Sequence, residues 1–360
     1  MESRAKEEIL NRKKKRKPLI LLVVLFFALL FFFIGDIALG SIHIPLNKII
    51  SILFADPTDN LAWNNIILKI RLPKATTAVL VGAALSVSGL QMQTLFRNPL
   101  AGPSVLGITS GASLGVALVM LSSGFVTTVF AIRSLGFLSS WLLIFSATMG
   151  AFLTLLFVLA IASKVRDNVI LLLVGLMVSH ITIALVSIWQ YFSQPDQIKD
   201  YLMWTFGSLG GVTREHLFIL SIVVVLGLMM AFGTSKALNV LLLGENYARS
   251  LGLSVNYSRI IIIISTSLMA GSITAFCGPI GFIGIAVPHL SRSLLNTSDH
   301  KILIPVVCLL GGVIMLFCDI VTHLPGKQSI LPINAITSLI GAPVVISVIL
   351  RKNNLKSSFS

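Results

Sequence analysis

The run IIIIISTSLMAGSITAFCGPIGFIGIAVPHLS occupies residues 260–291, contains no Asp, Glu, Lys or Arg, and lies between Arg259 and Arg292. A membrane-spanning helix needs about 20 apolar residues, so these 32 residues exceed the length of one span. The pair Gly278–Pro279 near the middle of the run is a strong helix breaker. We therefore expect two spans here, one of which is short or re-entrant.

The composition of the whole chain points to a membrane protein. The chain is 56% hydrophobic and 11% charged, with a mean hydropathy of +0.96. Soluble domains average about 25% charged residues, and no water-exposed surface can be built from so few charges, which excludes the soluble classes of protein. Nine uncharged runs occur, at residues 18–35, 75–96, 98–132, 134–163, 168–195, 216–235, 260–291, 302–318 and 328–350.

The distribution of Lys and Arg predicts that both termini are cytoplasmic. Residues 4–17 carry eight of these cations and residues 351–360 carry three, and cytoplasmic segments are the ones enriched in them. Equal sides require an even number of crossings, so dividing residues 260–291 gives ten, with 19 of the 27 cations inside. We expect an all-α polytopic protein of about ten transmembrane helices, with a basic cytoplasmic tail at 1–17, the transmembrane domain at 18–350 and a cytoplasmic tail at 351–360.

Neither the net charge nor the cysteines indicate a further function. The net charge of +14 does not indicate nucleic-acid binding, because the cations lie at span ends and in the tail, where they meet anionic lipid. Cys277, Cys308 and Cys318 lie inside apolar runs, are not spaced as metal ligands, and are odd in number. We expect them to be small apolar core residues.

Arg71 and Lys74 open the second predicted span on its outer side. Two cations at this end oppose the positive-inside bias. They either reach lipid headgroups or form a docking site for an acidic partner outside the membrane, by charge complementarity.

A short helix is predicted on the cytoplasmic side, between the sixth and seventh runs. Glu245, Ala248 and Arg249 are spaced to share one helix face. Gly244 precedes this helix, and Gly252 is suited to end it in the left-handed conformation. Such a helix either lies on the bilayer or docks into a groove on a partner protein.

Small residues mark two further segments. Gly107, Gly111 and Gly115 recur every four residues, a spacing that lets helix backbones approach closely in lipid. Residues 111–115 match the Gly-x-Ser-x-Gly pattern of hydrolases, but no strand precedes them and no base is assigned to them, which argues against that chemistry. Residues 278–292, with Pro279 and Gly284, are too interrupted for one straight helix. They form either a pathway-lining element or a kinked packing helix.

In this order and spacing, the motifs resemble the iron-chelate and vitamin B12 permease family of ABC importers. The matching segments are RLPK at 71–74, GAAL at 82–85, RNPLAGP at 97–103, LGE at 243–245, GFIG at 281–284, PH at 288–289, DHK at 299–301 and IGAP at 340–343. Lys74 and His323 stand where the family commonly has arginine.

The resemblance implies a type II ABC importer permease fold and a set of partners. It implies a dimer with a second copy or a sister permease, an extracytoplasmic substrate-binding protein, and two cytosolic ABC ATPase subunits, in the cytoplasmic (inner) membrane. The expected cargo is a ferric chelate, most simply a ferric siderophore, with haem and cobalamin as the alternatives. No cofactor is implied.

The resemblance also assigns roles to residues. Arg71, Lys74 and His323 are expected to dock the binding protein. The ATPase-coupling element is expected to comprise Gly244, Glu245, Ala248, Arg249 and Gly252. The translocation path and its gate are expected to involve Asn168, Val169, Gly107, Gly111, Pro279 and Gly284.

The chain is not expected to hydrolyse ATP itself, because it has no Gly-x4-Gly-Lys-Ser/Thr phosphate loop. The alternative from another class is an ion-coupled secondary transporter. Such carriers keep ionisable groups near the membrane midplane. Only Asp319 and six histidines are available, and of these only His180 lies well inside a predicted span.

Overall fold

The structure is a computed structural model that describes residues 2–40, 42, 44–54, 60–121, 137–165, 167–323 and 331–351. Every regular element within these ranges is a helix. Seven of the described helices are long and apolar enough to cross a membrane, and shorter apolar helices accompany them. This confirms the all-α polytopic fold with about ten transmembrane helices.

The helices are numbered in chain order. They are α1 Glu2–Ala38, α2 Leu46–Leu53, α3 Leu61–Asn65, α4 Leu72–Leu95, α5 Ile108–Leu121, α6 Phe137–Ala162, α7 Asn168–Phe192, α8 Pro195–Thr205, α9 Arg214–Gly233, α10 Ser235–Leu241, α11 Glu245–Ser250, α12 Val255–Cys277, α13 Ile283–Leu295, α14 His300–Thr322 and α15 Ile333–Arg351. A π-helix, Ile66–Arg71, joins α3 to α4, and a 3-10 turn, Pro103–Leu106, precedes α5.

Helix α4 lies at the centre of the bundle, packed against α9, α12, α13 and α14. Its small residues make this possible. A Cβ on Gly82 would overlap the carbonyl oxygen of Gly311 in α14, and a Cβ on Gly89 would overlap that of Gly284 in α13. Within lipid no hydrophobic driving force holds helices together, so close van der Waals packing of this kind stabilises the bundle instead. By contrast, α1 leaves most of its apolar span on the outside of the bundle.

The run at 260–291 divides as the sequence predicts. Helix α12 ends at Cys277, and Gly278 follows at φ 77°. The broken backbone finds partners elsewhere: Cys277 O accepts from Ser208 N at 2.8 Å, and Gly281 N donates to Asn334 Oδ1 at 3.0 Å. Helix α13 then has 13 residues, about 20 Å at 1.5 Å per residue, which is shorter than a hydrocarbon core of about 30 Å. The second half of the run is therefore the short one.

The glycine spacing in the third run also forms a helix crossing. Gly107 has φ 75° and lies between the 3-10 turn and α5, whereas residues 122–132 of the run lie outside the described part. A Cβ on Gly111 would overlap the Thr154 side chain of α6, and a Cβ on Gly115 would overlap the Ser146 carbonyl oxygen. The prediction of close backbone packing at these glycines is confirmed.

Candidate functional sites at the two ends of helix α4

The N-terminal end of α4 brings together the three residues predicted to dock a binding protein. Lys74 Nζ lies 2.8 Å from Asp319 Oδ2 and 3.0 Å from Nε2 of His323. The Arg71 guanidinium donates to the carbonyl oxygens of Ile37 at 2.8 Å and Ala38 at 3.1 Å. These side chains are therefore bonded within the chain, and their docking role stays a prediction.

Sequence reasoning missed one member of this cluster, Asp36. It is buried in the last turn of α1, where it interacts electrostatically with Asp319, Lys74 and Arg71. The cluster Asp36–Arg71–Lys74–Asp319–His323, called the clamp below, thus ties α1, α4 and α14 together. An isolated acid directly after an apolar run was the available sequence indication, because a charge at a span end that finds no water needs a protein partner.

Helix α11, the predicted coupling element, is held to the bundle by an ion pair. Glu245 Oε1 lies 2.8 Å from Nη2 of the fully buried Arg259, and Glu245 Oε2 lies 3.5 Å from Nη2 of the partly exposed Arg249. Arg259 also donates to Val165 O at 2.9 Å, which connects α12 to the segment between α6 and α7. Glu245 therefore anchors α11 to the chain's own core.

Ala248 is also turned toward the core, where it is fully buried. The face that it shares with Glu245 is thus packed within this chain, and the coupling role of these residues stays a prediction. The surface of this segment that remains open is apolar: Leu243, Tyr247 and Leu251 are 61%, 54% and 58% exposed. Large apolar side chains grouped on a short surface segment are typical of a protein docking surface.

The glycines that bracket α11 behave as the sequence predicts. Gly244 precedes the helix at φ 105°, and Gly252 follows it at φ 81°. Leu253 N donates to Ala248 O at 3.0 Å across the Gly252 turn, the bond that closes a helix ended by a left-handed residue. The prediction that Gly252 ends the helix is confirmed.

The C-terminal end of α4 carries a hydrogen-bonded chain that sequence reasoning also missed. Thr94 Oγ1 lies 2.8 Å from His300 Nε2, and His300 Nδ1 lies 2.7 Å from Asn239 Oδ1. Asn239 Nδ2 donates to Asp299 Oδ1 at 2.7 Å. This bond, together with the Lys301 N–H and charge, holds the pKa of Asp299 below its usual value against the opposing effect of partial burial.

Arg292 of α13 joins the same chain. Its Nη1 donates to Gln93 Oε1 at 2.9 Å, and its Nη2 approaches Thr94 Oγ1 at 3.4 Å. Gln93 Nε2 in turn donates to the Ile285 carbonyl at 3.1 Å. The chain Asp299–Asn239–His300–Thr94–Arg292–Gln93, called the relay below, spans α10, α13, α14 and the end of α4.

The residues predicted to form the translocation path are distributed over several elements. Asn168 begins α7 and donates to Leu95 O, at the end of α4, at 2.7 Å, while its neighbour Val169 is 61% exposed. Gly107, Gly111 and Gly284 lie at helix crossings, and Pro279 lies in the broken segment before α13. Their role in a path stays a prediction.

The chain matches the model of the FecCD transport family over residues 27–351. It is 36% identical over 284 residues to the vitamin B12 import system permease protein BtuC of Citrobacter koseri, covering 79% of this chain and 82% of that protein. It is 37% identical over 284 residues to the protein of that name from Salmonella newport, covering 79% and 83%.

Two solved structures are similar to the chain in fold. A metal-chelate type ABC transporter in an inward-facing conformation aligns with a TM-score of 0.78 at 29% identity, covering 92% of this chain and 98% of its own. PsaBC from Streptococcus pneumoniae aligns with a TM-score of 0.50 at 17% identity, covering 76% and 88%, which shows similarity of fold alone.

Proposed function

The chain belongs to the FecCD transport family of ABC importer permeases, and we propose that it carries a ferric chelate of the siderophore class across the cytoplasmic membrane. One observation supports a metal chelate: the metal-chelate type transporter is matched over 98% of its length and 92% of this chain. Cobalamin is the second candidate, because the BtuC relatives are 36–37% identical. Haem is the third candidate, supported only by the resemblance of the motifs.

ATP hydrolysis belongs to separate cytosolic ATPase subunits in this proposal, since the chain carries no phosphate loop. Such a subunit contacts the exposed surface formed by Tyr247 of α11 and by Leu243 and Leu251, which flank this helix. The rigid attachment of Glu245 to Arg259 supports this role, because a segment anchored to the bundle transmits motion, whereas a loose loop absorbs it.

The remaining partners follow from the same proposal. A substrate-binding protein docks at the end of the bundle that carries Arg71 and Lys74, and a second permease completes the path. Both termini are placed in the cytoplasm, as the eight cations at 4–17 favour. We also propose the domain bounds expected from the sequence: a cytoplasmic tail at 1–17, the transmembrane domain at 18–350 and a second tail at 351–360. The helices cross these bounds, since α1 is continuous from Glu2 to Ala38 and α15 reaches Arg351.

The test is uptake into proteoliposomes that hold this permease with its ATPase and binding protein. Ferric siderophores, haem and cobalamin are supplied separately, with and without ATP. We expect ATP-dependent uptake of a ferric siderophore. Uptake of cobalamin or haem alone would overturn the cargo but keep the importer, and ion-gradient-driven uptake without ATP would overturn both.

A further inference from the structure

Asn239 is the central residue of the relay. Its Oδ1 accepts from the backbone N–H of His300 at 2.8 Å and from His300 Nδ1 at 2.7 Å, while its Nδ2 donates to the Asp299 carboxylate at 2.7 Å. An amide oxygen only accepts, so His300 Nδ1 carries a proton. One short side chain on α10 thus holds the first turn of α14 through three bonds.

The fully buried imidazole of His300 extends this connection to α4. Its Nε2 meets Thr94 Oγ1 at 2.8 Å, and Arg292 of α13 approaches the same hydroxyl while bonding Gln93. A buried polar chain whose members are bonded to one another fixes the relative positions of the helices that carry them. Four helices therefore meet at the inner end of α4 through specific bonds, in addition to their apolar contacts.

Helix α10, which carries Asn239, directly precedes α11 in the chain. Only Leu242, Leu243 and Gly244 separate the two helices. The other link from α11 to the bundle, Glu245–Arg259, leads to α12 and to the segment before α7. The relay leads to different helices, namely α4, α13 and α14.

We propose that Asn239, His300 and Thr94 are positioning residues that make α10 move as one body with the inner ends of α4, α13 and α14. Displacement of α11 by an ATPase subunit then reaches the central helix α4 and the short helix α13 through the relay. This inference rests on the proposed importer function. In this proposal, residues that lie behind the docking surface and do not touch the ATPase couple ATP turnover to cargo movement.

A single and a double variant at one contact test the proposal. Asn239→Asp places two carboxylates at the 2.7 Å contact with Asp299, where they repel. The double variant Asn239→Asp/Asp299→Ser removes the second carboxylate and supplies a hydroxyl, which can donate to the new carboxylate while its oxygen accepts from Lys301 N, so that the N-cap of α14 is kept. Lys236→Gln on the exposed surface of α10 is the matched control, because it changes the charge by the same unit.

The measurements are ATPase co-purification, ATP turnover, and cargo taken up per ATP in proteoliposomes. In Asn239→Asp we expect normal co-purification, retained ATP turnover, and uptake per ATP lowered roughly fivefold or more, the usual lower range of coupling between two sites. The double variant and Lys236→Gln are expected near the wild-type ratio. A wild-type ratio in Asn239→Asp, or no recovery in an assembled double variant, would overturn the proposal.

A second pair of variants decides the matter if Asn239→Asp does not assemble. Thr94→Val keeps the shape of the side chain but removes the hydroxyl that meets His300, whereas Thr94→Ser keeps the hydroxyl. Uptake per ATP should fall in Thr94→Val and recover in Thr94→Ser. Equal ratios in the two would overturn the positioning role. Wild-type protein that shows no ATP-driven uptake of any cargo would instead overturn the proposed function.

Discussion

At one end of α4, Lys74 meets Asp319 at 2.8 Å, and at the other end Thr94 meets His300 at the same distance. The two contacts are 20 residues apart on one helix, about 30 Å, and both join α4 to α14. The clamp brings charges of both signs together and ties in the peripheral helix α1. The relay centres on a neutral amide and a hydroxyl, and ties in α10.

This difference separates stability from coupling. Removing one partner from a buried ion pair leaves an uncompensated charge, which is costly, so clamp variants should lose stability first. Removing one bond from a largely neutral chain costs about 1 kcal/mol, so relay variants can fold and still lose the geometry that the chain maintains. Variants at each end of α4 test this division.

The largest effect is expected for Lys74→Met. It leaves Asp36 and Asp319 facing each other without their nearest cation, which should lower the free energy of unfolding by about 3–5 kcal/mol. The measurement is denaturant or thermal unfolding in detergent. The control variant is Lys69→Met, at an exposed position in the π-helix that precedes α4. It should change the free energy of unfolding by about 0.5 kcal/mol or less. Equal stability of the two variants would show that the clamp is not structural.

A somewhat smaller effect is expected for Glu245→Gln. It removes the carboxylate that faces the fully buried Arg259, at a cost of about 3 kcal/mol, offset in part by the remaining bond from Arg259 to Val165 O. The comparison variant is Arg249→Gln, which removes only the exposed partner of the same carboxylate at 3.5 Å, for about 0.5 kcal/mol or less. Protease sensitivity of the α10–α12 segment distinguishes them. Equal cleavage in both variants would contradict an anchored α11.

Ala248→Trp and Tyr247→Ser separate the two faces of α11. The larger side chain at the fully buried Ala248 must displace the chain's own core, at a cost of about 1–3 kcal/mol, and should weaken ATPase association indirectly. Tyr247→Ser should leave stability within about 0.5 kcal/mol and still lower ATPase co-purification, because Tyr247 lies on the open surface. Full ATPase association in Tyr247→Ser would move the docking surface elsewhere.

Much of the fold was readable from the sequence because lipid imposes simple rules. Uncharged runs located the spans, Gly278–Pro279 located the break between α12 and α13, and Gly252 located the end of α11. Each of these depends on residues next to one another in the chain. Local pattern and backbone geometry are enough for such features.

The clamp and the relay were not readable in this way. Lys74 and Asp319 are 245 positions apart, and Asn239 and His300 are 61 apart, so their pairing depends on how the helices pack. The direction in which Ala248 points could not be predicted for the same reason. Helical spacing showed that it shares a face with Glu245, but only the packed bundle shows that this face points inward.

The smallest effect is expected at the surface around the clamp, where it bears on the docking of a binding protein. Arg71 and Lys74 are bonded inside the chain, whereas Lys48 of α2 and Lys69 of the adjoining π-helix are exposed. Exposed charges act mainly on association rate, and salt screens them. Lys48→Glu/Lys69→Glu should therefore keep the protein folded and slow association of the loaded binding protein at low salt, with the difference fading as salt rises.

Arg71→Glu/Lys74→Glu should instead reduce the amount of folded protein, because two carboxylates are added to the buried Asp36 and Asp319. If this second variant folds normally and loses only docking, Arg71 and Lys74 act as docking residues in spite of their internal bonds, and the clamp belongs to the interface.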